Sequence, residues 1–144
     1  MCGFTGFLKS NLEAVDSHTL PAITELAARM ALTMQHRGPD GADAWADPQA
    51  GVALAHRRLA ILDLSPAGAQ PMHSACARFV LAFNGEIYNH LQLRAELEGA
   101  GHAPAWHGHS DTETLLAGIA AWGLEKTLQR CVGMFAMALW DRQT

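Results

Sequence analysis

The sequence predicts an α+β fold with mostly antiparallel sheets. Strand-like and helix-like segments follow one another in mixed order, and their spacing is typical of hairpins. The chain has 144 residues, which is enough for one domain with a buried core. Charged residues make up 17% of it, below the roughly 25% usual in soluble proteins. This deficit favours a well-buried fold or a surface that a partner partly covers.

The first half of the chain is expected to contain two strand regions and one helix. The opening CGFTGFL predicts a short strand. From Leu20 to about Gln35, apolar residues recur at steps of three and four, and Pro21 lies in the first turn, which predicts an amphipathic helix. Glycines and a proline indicate a loop over residues 36–45. Residues 51–64, GVALAHRRLAILDL, predict a second strand.

The second half is expected to alternate between strands and helices. Its strongest local signal is the capping box formed by Ser110 and Glu113, which predicts the start of a helix. In chain order, we expect a strand at 79–89, a helix with Asn89 as its cap, a short strand around Trp106, the helix that begins at Ser110, a helix at 124–131 and a strand at 133–141.

Charge and composition exclude several classes of function. The formal net charge is −4, with no basic cluster, so we expect no nucleic-acid partner. The longest apolar stretch, Leu115–Trp122, is far shorter than the roughly 20 residues that cross a membrane, so we expect no membrane partner. The three cysteines, Cys2, Cys76 and Cys131, are odd in number and widely spaced, which argues against a disulfide framework and favours a cytoplasmic location.

Cys2 has an unusual position for a cysteine. Removal of Met1 would free the α-amino group of the residue that also carries the thiol. An α-amine has a pKa of about 7.7–8.0 and a thiol one of about 8.5, so this amine could accept the thiol proton without a histidine. The pattern indicates a nucleophile, although an incidental cysteine is equally compatible with this residue alone.

Four further stretches accompany the initial MCG in a fixed order. They are HRGPDG (36–41), HRRLAILD (56–63), FNGEIYNH (83–90) and HSDTE (109–113). Together they resemble the glutaminase domain of class II glutamine amidotransferases. The forms RGPDG and NGEIYNH resemble those of glutamine-hydrolysing asparagine synthetases most closely.

The resemblance covers essentially the whole chain and implies a specific fold. It implies an N-terminal nucleophile hydrolase-like αββα four-layer sandwich of antiparallel sheets. Residues 1–144 would form the class II glutaminase domain, incomplete at its C-terminus, with the synthetase domain absent.

The resemblance also assigns roles to five residues. Cys2 would attack the side-chain amide carbon of glutamine, form a thioester and release ammonia. Asn84 and Gly85 would form the oxyanion hole, since a side-chain NH2 and a backbone N–H are the donors that a developing oxyanion needs. Arg58 would bind the α-carboxylate of glutamine, because a guanidinium pairs with it through two parallel hydrogen bonds. Asp111 would bind the ammonium group.

Other residues near these motifs receive lesser roles. Arg57 is expected to face away from the site as a solvated charge, and Glu113 to be the structural partner of Ser110. The loop with Arg37 and Asp40 is expected to have a structural or lid role. The backbone groups that complete the glutamine pocket, as the resemblance implies, belong to Leu59, Ala60, Ile61, Leu62 and Glu86.

The expected partners are L-glutamine and the C-terminal synthetase domain of the parent chain, and a homodimer is left open. No cofactor or metal is expected in this domain, because His102, His107 and His109 lack an acidic or thiol ligand at suitable spacing. ATP and Mg²⁺ are expected only in the synthetase domain. Two alternatives remain: a non-catalytic glutamine-binding or docking fragment, and an amidotransferase for an acceptor other than aspartate.

Overall fold

The computed structural model describes residues 2–9 and 19–143, and they form two compact units. Unit 1 comprises residues 1–60 and 69–71, and unit 2 comprises residues 61–68 and 72–144. The strands are β1 (Gly3–Leu8), β2 (Gly41–Asp47), β3 (Val52–Arg58), β4 (Met72–His73), β5 (Phe79–Ile87) and β6 (Gly133–Asp141). The helices are α1 (Thr19–Leu32), α2 (His90–Gly99), α3 (Asp111–Trp122) and α4 (Leu124–Arg130), with 3₁₀ turns at Gln35–Arg37 and Pro66–Gly68.

All described strand pairs are antiparallel, which confirms the predicted α+β class. Unit 1 has a sheet in the order β1-β3-β2, and unit 2 has one in the order β4-β5-β6. Among the described elements, α1 packs on the sheet of unit 1 and α3 on the sheet of unit 2, as the implied sandwich requires of each half. None of the helices in the described part of the chain is long and apolar enough to cross a membrane.

Helix α1 packs on the sheet of unit 1 through small residues. Ala27 and Ala31 are buried against Ala53 and Ala55 of β3. Leu26, which belongs to the apolar pattern that predicted the helix, is 47% exposed. Alanine against alanine lets the helix approach the sheet closely, and Ile23, Met30 and Met34 of the predicted pattern are half-buried beside the two alanines.

Two expected boundaries in unit 1 are wrong for the same reason. β2 begins at Gly41, inside the expected loop, because Gly41 to Asp47 pair with β3. The expected strand at 51–64 ends at Arg58, opposite the first residues of β1 and β2: Gly3 pairs with Arg57 and Gly41 with Arg58. Among the residues that the structure describes, none pairs with residues 59–64 as a strand.

The core of unit 2 lies between β5 and the helices α2 and α3. β5 is the central strand, and α3 contributes the buried residues Leu115, Leu116 and Ile119 to the same core cluster. The buried cluster consists of Met72, Phe79, Leu81, Phe83, Ile87, Leu93, Leu115, Leu116 and Ile119.

Two expectations in unit 2 are corrected. The segment around Trp106 forms no strand. The indole Nε1 of Trp106 donates instead to Glu98 Oε1 of α2 (2.8 Å). Asn89 precedes α2 but makes no side-chain cap. Its Nδ2 donates to the carbonyl of Arg130 (2.9 Å) and its Oδ1 accepts from Val132 N (2.8 Å). Asn89 therefore ties the start of α2 to the chain between α4 and β6.

Candidate active site

Cys2 is held at the start of β1 by backbone groups of unit 1. Its thiol lies 3.5 Å from the carbonyl oxygen of Leu59, and Leu59 N donates to Sγ at 3.3 Å. Arg37 Nε donates to the carbonyl oxygen of Cys2 (3.1 Å). Both the sulfur and the backbone of this half-buried residue are thus fixed.

The loop that contains Arg37 and Asp40 supports this arrangement. Asp40 accepts from Ala60 N through Oδ2 (2.9 Å), and its own N–H donates to the carbonyl of Arg58 (3.0 Å). A Cβ at Gly3 would lie 3.3 Å from the side chain of Arg37, so this glycine makes room for the arginine. These contacts give the loop a structural role around Cys2 and the residues that follow β3.

The two arginines at the end of β3 have different surroundings. Successive residues of a strand point to opposite faces, and Arg57 is only 7% exposed. Its Nε donates to the carbonyl of Gly38 (3.1 Å), so the expectation of a solvated surface charge is wrong. The loop that ends at Gly38 covers that face of β3 and supplies the acceptor that a buried guanidinium needs. Arg58, on the other face, is half-buried.

Asn84, Gly85 and Glu86 lie in the second half of β5, paired with β6. Gly85 has φ +155°, and a Cβ there would come within 2.3 Å of the carbonyl oxygen of Met134 and 2.4 Å of Phe135. The close approach of β6 therefore requires glycine at this position. Sequence reasoning missed this requirement, since it considered only the exposure of the Gly85 N–H.

Asp111 is the first residue of α3 and is 5% exposed. Its Oδ2 accepts from Ile87 N (2.9 Å), and its Oδ1 accepts from Thr112 N (2.8 Å) and lies 3.5 Å from Thr112 Oγ1. The carboxylate thus ties α3 to the end of β5.

Ser110 caps α3 as expected, with its Oγ accepting from Glu113 N (3.2 Å). The carboxylate of Glu113 does not complete the capping box. It accepts from His107 N (2.8 Å) and Gly108 N (3.1 Å), and it pairs with Arg94 at 3.3 Å. Glu113 is structural, but it holds the turn before α3 and not the cap itself.

Asp63 was not singled out from the sequence. This buried carboxylate accepts from Ser65 N (2.8 Å) and from His109 N (2.9 Å). An aspartate that bonds the N–H two residues later forms an Asx turn, and Asp-x-Ser is a pattern that predicts one. That local signal could have identified the first bond but not the second, which spans 46 residues.

The expected site residues are divided between the two units. Unit 1 brings Cys2 together with Leu59, and unit 2 joins Asp111 to the residue that follows Glu86. Residues of unit 1 are Cys2, Arg58, Leu59 and Ala60; those of unit 2 are Ile61, Leu62, Asn84, Gly85, Glu86 and Asp111. Within the described ranges, no three histidine, cysteine or acidic residues are grouped to hold a metal ion.

The fold is that of a glutamine amidotransferase. A solved structure of glutamine phosphoribosylpyrophosphate amidotransferase from Bacillus subtilis matches with a TM-score of 0.67 at 22% identity, over 83% of this chain and 33% of that one. The family model of the glutamine amidotransferase domain matches residues 1–144, and the chain belongs to this family.

Curated relatives of the chain are glutamine-hydrolysing asparagine synthetases. It is 39% identical to asparagine synthetase B of Escherichia coli over 143 residues, which cover 99% of this chain and 24% of that protein. It is 35% identical to asparagine synthetase 3 of Bacillus subtilis over 148 residues, covering 99% of this chain and 22% of that protein. The chain therefore spans less than a quarter of the length of these relatives.

Proposed function

We propose that this domain hydrolyses L-glutamine to glutamate and ammonia, with Cys2 as the nucleophile. The main support for this proposal is the fixed position of the Cys2 thiol. The N–H and the carbonyl oxygen of Leu59 both contact the sulfur, and Arg37 donates to the Cys2 carbonyl oxygen. A nucleophile needs such a position, because a small displacement of the attacking atom costs a large factor in rate.

The reaction has two steps in this proposal. The α-amine of Cys2, free once Met1 is removed, accepts the thiol proton as Sγ attacks the side-chain amide carbon of glutamine. The tetrahedral intermediate collapses to a thioester, and the amine passes its proton to the departing NH2, which leaves as ammonia. Water then attacks the thioester, releasing glutamate and restoring the thiol.

The remaining assignments concern charge. Asn84 Nδ2 and Gly85 N–H are proposed donors to the oxyanion, and loss of one such donor typically reduces the rate about 100- to 1,000-fold. Arg58 is proposed to bind the α-carboxylate, and Asp111 the α-ammonium. The position of this buried carboxylate, fixed by the N–H groups of Ile87 and Thr112, supports this role. The backbones of residues 59–62 and of Glu86 are proposed to complete the pocket.

We propose that the ammonia serves an ATP- and Mg²⁺-dependent synthetase domain of a longer, cytoplasmic protein, which amidates the side-chain carboxylate of aspartate. The names of the relatives at 35–39% identity support this acceptor. An acceptor other than aspartate is the second candidate. The proposed domain itself uses no cofactor or metal, and whether it forms a homodimer follows from the mass of the protein in solution.

The test combines intact mass with a glutamine-analogue electrophile, diazo-oxo-norleucine. We expect a protein that lacks Met1 and gains one adduct, mapped to Cys2. Cys2→Ala should abolish both the adduct and glutamine hydrolysis while still binding glutamine. Cys76→Ala is the matched control, since Cys76 is an exposed free thiol that should not affect either readout. A folded, processed protein that binds glutamine but forms no adduct would instead support a non-catalytic binding module.

A further inference from the structure

The Asp63 carboxylate joins two backbone segments of unit 2 that are distant in sequence. It is 8% exposed, and its two oxygens are used separately: Oδ1 accepts from Ser65 N and Oδ2 from His109 N. The first bond fixes the loop at residues 61–68, and the second fixes the turn that precedes α3. A single buried charge therefore sets the distance between loop and turn.

Gly108 permits this close contact. A Cβ at this position would lie 2.2 Å from Asp63 Oδ2 and 3.0 Å from the Cβ of Ala67. On the other side of the turn, Arg94 Nη1 donates to the carbonyl oxygen of Gly108 (3.0 Å). The turn is thus held between a carboxylate and a guanidinium, with no space for a side chain at its centre.

Both segments lead directly to groups with proposed roles in glutamine binding. The loop begins with Ile61 and Leu62, whose backbone is proposed to line the pocket. The turn continues through Ser110 into Asp111, the proposed ligand of the ammonium. We propose that Asp63 is a positioning residue for glutamine: its carboxylate holds the loop at 61–62 at the correct distance from Asp111. This inference rests on the proposed glutaminase function.

The effect should appear in binding and not in the chemical step. Asp63 orients groups that recognise the amino-acid end of glutamine, which is the same in the substrate and in the transition state. Loss of an interaction of this kind raises KM and leaves kcat largely unchanged. A purely structural role would instead reduce the amount of folded enzyme, and so lower kcat at an unaltered KM.

The test is Asp63→Asn in the whole protein, with KM and kcat measured for glutamine hydrolysis. The asparagine has one acceptor oxygen, so the N–H of either Ser65 or His109 must face its NH2 group and loses its acceptor. We expect KM to rise about 10- to 100-fold, the factor that corresponds to the loss of one hydrogen bond to a charged group. Asp43→Asn is the control, because this exposed aspartate also accepts a backbone N–H, from Ala44 at 2.8 Å, but joins no second segment.

Gly108→Ala perturbs the same contact from the opposite side. It should raise KM as well, and the double variant should be less impaired than the product of the two single effects, because both act on one contact. If the parent protein hydrolyses glutamine and folded Asp63→Asn has the same KM as the parent, this inference is overturned and the glutaminase function stays intact. Failure of both variants to fold would also overturn it, by assigning Asp63 to stability. A parent protein that neither binds nor hydrolyses glutamine would refute the proposed function itself.

Discussion

The buried pair of Arg94 and Glu113 should make a large contribution to stability. Their charged atoms are 3.3 Å apart, and each side chain is 12% exposed. The Arg94 guanidinium also lies 4.0 Å from the centre of the Trp106 ring. If Arg94→Ala removes the cation, the carboxylate of Glu113 keeps two backbone donors, His107 N and Gly108 N, and the exposed imidazole of His107 at 3.4 Å. Breaking a buried pair costs about 3–5 kcal/mol, and the residual exposure places our expectation at the lower end, about 3 kcal/mol.

The chain offers a closely matched control pair. Arg130 and Glu96 are also 3.3 Å apart, and the Arg130 guanidinium lies 4.2 Å from the Trp122 ring centre. These side chains are 48% and 40% exposed, so water screens the pair. Exposed pairs contribute about 0.2–1 kcal/mol. The two pairs share chemistry, distance and stacking. They differ in burial, in the backbone bonds that Glu113 accepts, and in the hydrogen bonds from Arg94 to Gly108 O and Thr114 Oγ1.

The assay is a double-mutant cycle on each pair, with the free energy of unfolding measured by urea denaturation. Far-UV circular dichroism is the suitable signal, because both pairs contact a tryptophan. Alanine variants of Arg94 and Glu113, singly and together, should give a coupling energy of about 2 kcal/mol, within the range found for contacting residues. The cycle on Arg130 and Glu96 should give less than about 1 kcal/mol. Equal coupling energies in the two cycles would refute the argument from burial.

Two further predictions concern packing and thiol chemistry. Gly85→Ala should destabilise the protein by about 3 kcal/mol, the upper end for overpacking, because the backbone of β6 lies 2.3 Å from the new Cβ. Gly99→Ala is the control, because nothing lies within 4 Å of its new Cβ. Similar unfolding midpoints for the two variants would contradict the steric argument. A hydrogen bond from the Ser74 hydroxyl lowers the pKa of the Cys76 thiol, whereas burial raises the pKa of Cys131. At neutral pH, Cys76 should therefore hold more thiolate and react faster with iodoacetamide, and Ser74→Ala should shift its rate profile to higher pH. The two alkylation rates are measured by peptide mass analysis, and a faster rate for Cys131 than for Cys76 would disprove the prediction.

Local sequence signals predicted much of the fold because they act over a few residues. Ser110 caps α3 through the backbone N–H three residues later, so the helix start depends on no distant contact. The alternation of β5 and β6 likewise follows from residues adjacent in the chain. The short motifs also identified the family, because Cys2 and the stretch at 83–90 stand in a fixed order. The roles of the individual site residues stay predictions.

The errors occurred where a residue's environment is set by a distant segment. Nothing near Arg57 in the sequence indicates that the loop ending at Gly38 covers it and accepts its hydrogen bond. Leu26 has the correct period for a buried residue, yet it is exposed, while the neighbouring Ala27 is buried against the sheet. The segment around Trp106 has strand-like composition but no strand partner, and side chains of α2 and α3 hold it instead.

The sequence by itself determined the fold class, the family and the order of the helices, since periodicity, caps and ordered motifs are properties of the chain. It did not predict β2 or β4, which depend on pairing with β3 and β5. Only the tertiary structure decided which carboxylates hold the segments around the expected site. Asp63 and Glu113 are ordinary acidic residues in the sequence, and their importance comes from the backbone donors at 107–109. Those donors face the carboxylates because the turn before α3 forms no strand, and a buried N–H must find an acceptor wherever the fold supplies one.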